Sequence, residues 1–74
     1  MLDQSEKRIL EILSKDLLVT KGELVNRLSR EGLDSVELGL NRLRQMGYIE
    51  KVESLGTAFV ITQSGMRAMK ELTI

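Results

Sequence analysis

Residues 33–51 read LDSVELGLNRLRQMGYIEK: a polar start, a helical apolar stripe, a glycine stop and the opening of a β-rich run. Asp34 stands where an N-cap is expected, and Glu37 three residues later makes an Asp variant of the capping box. Val36, Leu40 and Leu43 recur at i, i+4 and i+7, on one face of a helix with about 3.6 residues per turn. Gly47 can take the left-handed conformation that closes many helices. Tyr48, Ile49 and Val52 carry the aromatic and β-branched side chains that suit a strand. The stretch therefore predicts a helix over about 34–46 that passes directly into a strand, one helical face buried and the other open.

Working upstream, TKGE at 20–23 is a second helix start. Thr20 as N-cap and Glu23 at N3 make a capping box, and Val19 and Leu24 are spaced for a hydrophobic staple. Gly22 in the first turn costs about 1 kcal/mol in propensity, which the caps can offset. Leu24, Val25 and Leu28 are expected to face the core, and Gly32 to end the helix. Only a residue or two then separate it from Asp34. Two helices joined this tightly form a helix-turn-helix, whose second helix reads the duplex when the partner is DNA. Nearer the start, Asp3 and Glu6 form another capping box, followed by a broad apolar face of Ile9, Leu10, Ile12 and Leu13. Leu17, Leu18 and Val19 fit either a buried connector or a minimal strand, which periodicity cannot separate.

Downstream, YIEKV (48–52) and AFVIT (58–62) are β-rich runs flanking ESLGT (53–57), where Gly56 permits a positive φ. This predicts a hairpin over about 48–61. Thr62 caps a last helix in which Met66, Met69 and Leu72 recur at roughly helical spacing, the methionines as core filling. The order is helix, helix, helix, strand, strand, helix, an α+β chain.

Composition excludes several classes. Seventy-four residues make one domain, and a chain of this length buries only about 60 % of its unfolded surface. With 42 % apolar and 30 % charged residues it has the balance of a globule. It has no cysteine and no histidine, so a disulfide, a thiolate zinc site and the commonest general base are all excluded. The eleven carboxylates fall in no recognisable catalytic or metal spacing, and the six glycines are scattered singly, with no phosphate-cradling loop. No enzyme, cofactor or metal site is expected. No apolar run approaches the roughly 18 residues of a membrane span, and Met1–Lys7 is too acidic for a signal peptide, so a cytoplasmic location and no membrane partner are expected. Net charge is zero, with about −2 on residues 1–37 and about +2 on residues 38–74.

The order of elements and two local phrases resemble the winged helix-turn-helix family from Ile9 to Leu72. LNRLRQMGYIEKV (40–52) is similar to that family's helix-to-wing passage. VITQSGMRAM (60–69) is similar to its second wing strand entering the closing helix. Both phrases look like those of small prokaryotic transcriptional regulators related to the MarR and PadR groups. The resemblance implies a three-helix bundle with a two-stranded β-hairpin wing and a C-terminal helix. It also implies duplex DNA binding, with the helix from Asp34 in the major groove and the Val52–Val60 hairpin against the backbone or minor groove. Such regulators usually dimerise to match two half-sites; a homodimer here would pair the first helix or the Met66–Leu72 helix with its twin.

At about 100° per residue, the face opposite Val36, Leu40 and Leu43 is centred on Leu38 and Gln45 and flanked by Asn41 and Arg42. Ser35 and Arg44 lie toward its edges. Asn41 and Gln45 suit adenine and Arg42 suits guanine, while Ser35 can donate to phosphate. Arg42, Arg44 and Lys51 are phosphate anchors, and Thr57 with the backbone near Gly56 can add donors. The same residues also describe the solvated face of an amphipathic helix. Asp34 and Glu37 would repel phosphates, and the hairpin carries a net charge of −1 from Glu50, Lys51 and Glu53. Leu38 is either stapled to Leu33 around the Asp34 cap, or left to meet a thymine methyl or a protein partner. The alternative function is therefore a winged helix used for protein–protein interaction through the Leu38 face.

Overall fold

The computed structural model describes residues 2–54 and 56–72. Helix α1 (Gln4–Asp16) opens with both halves of the expected capping box: Glu6 N–H donates to Asp3 Oδ1 and Asp3 N–H donates to Glu6 Oε1, each at 2.8 Å. Its apolar face is the centre of the core, with Ile9, Leu10, Ile12 and Leu13 all buried. The helix ends at Leu17, the one non-glycine with a positive φ (+68°) among the described residues. Burying the four α1 side chains is the largest single apolar contribution to the fold, since each contributes about 1.5–3 kcal/mol relative to exposure.

Strand β1 (Leu18–Thr20) follows at once and resolves the connector-or-strand ambiguity. It pairs antiparallel with β3 (Thr57–Ile61), which pairs on its other side with β2 (Ile49–Glu53), giving the order β1-β3-β2. The sheet thus has three strands where the hairpin alone supplied two. Three residues of β1 suffice because Val19 sits opposite Phe59 and both are buried.

Helix α2 (Lys21–Arg30) is capped by Thr20, whose Oγ1 accepts from Glu23 N–H at 3.2 Å. The reciprocal half of that box is replaced by an Arg27–Glu23 contact of 2.8 Å. Leu24 and Leu28 are buried as expected; Val25 is not, at 38 % exposed. It lies about 100° from Leu24, far enough to leave the core stripe. The helix closes in a Schellman motif, with Gly32 at φ +79°, Gly32 N–H on Ser29 O and Leu33 N–H on Leu28 O. Arg8 Nε on α1 donates to both carboxylate oxygens of Glu31 at 2.9 and 3.0 Å. Those hydrogen bonds hold the Glu31 carboxyl below its ordinary range, against a smaller desolvation effect of opposite sign.

Helix α3 (Val36–Gln45) starts one residue later than the sequence indicated. Ser35, not Asp34, is the N-cap, and no side chain caps the first turn. The capping box with Glu37 does not form: with Ser35 as N-cap, Glu37 falls at N2 rather than N3, and its carboxylate pairs with Lys21. The shift also removes the staple between Leu33 and Leu38. Leu33 packs on the core while Leu38 is left 57 % exposed. Val36, Leu40 and Leu43 are buried as the stripe required. A second Schellman motif closes α3 at Gly47 (φ +77°), with Tyr48 N–H on Leu43 O at 2.9 Å.

Helix α4 (Gln63–Leu72) is capped by Thr62, whose Oγ1 accepts from Gly65 N–H at 3.1 Å. The same hydroxyl donates to Gly47 O at 2.6 Å, and Thr62 N–H donates to Tyr48 O at 3.0 Å. One threonine therefore ties the end of α3 and the root of β2 to the start of α4. Met69 packs against the core but Met66 is largely exposed. The Leu72 side chain and the hairpin residue Leu55 lie outside the described residues. Among those described, no helix is long and apolar enough to cross a membrane.

Candidate nucleic-acid interface

The Gly47 turn and the Thr62 ties set β2 alongside the exposed flank of α3. Between them runs an open groove of about 600 Å³ lined by Asn41, Arg44 and Gln45 from the helix and Ile49, Glu50 and Lys51 from the strand. A smaller hollow of about 180 Å³ continues from it toward α2, bringing Lys21, Glu37, Thr57 and Phe59 to Asn41, Arg44 and Lys51. Five of the eight residues singled out in the sequence thus meet around one surface feature: Asn41, Arg44, Gln45, Lys51 and Thr57.

The other three lie elsewhere. Arg42 sits on the α1 side of α3, with Nε 3.8 Å from Glu6 Oε2. Leu38 stands exposed and lines neither hollow. Ser35 is exposed at the helix start, and its hydroxyl makes no cap hydrogen bond.

Lys21 was missed in the sequence, where it stood only as a filler of the TKGE box. Its place depends on α2 beginning directly after β1, which local patterning does not reveal. The charges of the groove are mutually compensated: Lys21 pairs with Glu37, and Lys51 Nζ lies 3.1 Å from Glu53 Oε1. These pairs are solvent-accessible and contribute little to stability, about 0–1 kcal/mol each. Among the described residues Arg44 has no ion-pair partner, and it is exposed and lines both hollows, so its guanidinium fork is presented to the groove.

Chemically, the surface offers two amide side chains at i and i+4, Asn41 and Gln45, flanked by three cations. Glu50 and Glu37 line the same hollows, so the surface presents hydrogen-bond donors and acceptors of both charges. Comparison with protein-family models, curated proteins and solved structures finds no match to this chain.

Proposed function

We propose that the chain is a non-enzymatic winged helix-turn-helix protein that binds duplex DNA and serves as a transcriptional regulator in a prokaryotic cytoplasm. The observation that carries this reading is that Asn41, Arg44 and Gln45 on α3 and Lys51 and Thr57 on the hairpin line two adjoining hollows, which share Asn41, Arg44 and Lys51. In this reading α3 enters the major groove, Asn41 and Gln45 read base edges, and Arg44, Lys51 and Lys21 contact phosphates. The hairpin acts as the wing. The short 31–35 connection between α2 and α3 supports the helix-turn-helix assignment.

A second reading rests on Leu38, whose 57 % exposure puts a large apolar side chain on the open face of α3. It makes the same fold a protein-interaction module. Salt separates the two. Fluorescence anisotropy with a short mixed-sequence duplex is expected to show binding at low salt that weakens steeply as salt rises, since each neutralised phosphate contributes about −0.9 to the slope of log K against log salt. No binding at low salt, or binding indifferent to salt, would transfer the proposal to the protein partner.

A further inference from the structure

The N-terminal turn of α1 holds a group that neither the core nor the cap explains. Glu6 is 2 % exposed, and its cap needs only Oε1, which accepts from Asp3 N–H. The second oxygen, Oε2, is buried without a hydrogen-bond partner. It is covered by α3 at Gly39, where an added Cβ would lie 3.7 Å from Glu6 Cγ and 3.3 Å from Ile9 Cδ1. A glycine in a helix interior is otherwise unfavourable; here it lets α3 approach α1 closely enough to bury the carboxylate. The cation that Oε2 faces is Arg42, at 3.8 Å from Nε, while the Arg42 side chain remains 56 % exposed.

We infer that Glu6 is a positioning residue that restrains Arg42, holding the guanidinium on the α1 side of α3 and neutralising it so that it does not count as a phosphate anchor. This rests on the DNA-binding reading above and names a regulator of its charge. The physical reason is asymmetry. Arg42 leaving for a phosphate would strand the buried Oε2 with no other partner among the described residues, whereas staying costs little because the guanidinium is still largely hydrated. Arg44, two residues on, has no ion-pair partner among the described residues and lines the groove.

Glu6→Gln tests this without removing the cap, because Gln at N3 also completes a capping box. Duplex binding is measured across a salt series for the wild type, Glu6→Gln, Arg42→Gln and the double variant. The expected result is a slope steeper by about 0.9, one added phosphate contact, in Glu6→Gln alone. Arg42→Gln leaves the wild-type slope unchanged, and the double variant returns to it. An unchanged slope in Glu6→Gln, or a gain that survives Arg42→Gln, overturns the inference while leaving DNA binding intact. A second readout does not need DNA: the Arg42 Nε–Hε resonance is expected to move in Glu6→Gln, and its staying in place overturns the inference. Failure of all four proteins to bind at low salt overturns both this inference and the DNA reading.

Discussion

Gly65→Ala is expected to lower the melting temperature by roughly 10–20 °C, a loss of about 2–3 kcal/mol for a chain of this size. Gly65 is buried in the first turn of α4, and a Cβ there would overlap Tyr48 O and lie 2.7 Å from Ile61 Cγ1. The first contact is with backbone, which cannot rotate aside. The same carbonyl accepts the Thr62 N–H, so moving it breaks the tie between β2 and α4. The gain in helix propensity from glycine to alanine, up to about 1 kcal/mol, offsets only part of this. Gly22→Ala provides the control. Nothing lies within 4 Å of its added Cβ and its backbone is ordinary helix, so it is expected to stabilise slightly. Opposite signs at two helical glycines, read by thermal denaturation, would show that contact and not propensity decides. A Gly65→Ala protein melting with the wild type would mean that α4 is not seated on Tyr48.

Replacing Arg44 and Lys51 together by glutamine is expected to weaken duplex binding about 100-fold at low salt, taking roughly 1.5 kcal/mol per charge-assisted contact. The slope of log K against log salt should also fall by about 1.8. Both residues line the groove between α3 and β2, one from each element, so the pair tests whether helix and hairpin contact the same duplex. Lys51 must release Glu53 to reach a phosphate, which makes Arg44 the larger contributor. Arg67→Gln, on exposed α4 and outside the groove, should leave the slope where it is. Equal effects per charge removed from the Arg67 and Arg44/Lys51 replacements would show that the protein attracts DNA only as a diffuse charge.

What could be read in the sequence was local. The Asp3–Glu6 box, the Thr20 and Thr62 caps, the closures at Gly32 and Gly47 and the buried stripe of α3 each depend on a few neighbouring residues, and each is present. The errors came where distant parts meet. Asp34 and Ser35 are adjacent cap-forming residues, and local pattern does not decide between them; the helix starts after Ser35, with Glu37 in its first turn and paired with Lys21. That one-residue shift also freed Leu38. Strand β1 could not be assigned because its three residues are ordered by β3, about forty positions away in the chain. For the candidate site, the period of α3 identified its open face but not which flank adjoins α1 and which adjoins β2. The sequence placed Arg42 nearer the centre of that face than Arg44, whereas the fold sets Arg42 against Glu6 and Arg44 in the groove.

The most direct measurement is an amide chemical-shift titration of the chain with a short duplex at low and then moderate salt. Duplex binding across α3 and the hairpin predicts shifts concentrated at 35–45 on α3, at 49–54 and 56–57 on the hairpin, and at Lys21, fading together as salt rises. Amides that stay still on α3 and the hairpin at low salt, or shifts gathered on α4 instead, would contradict it.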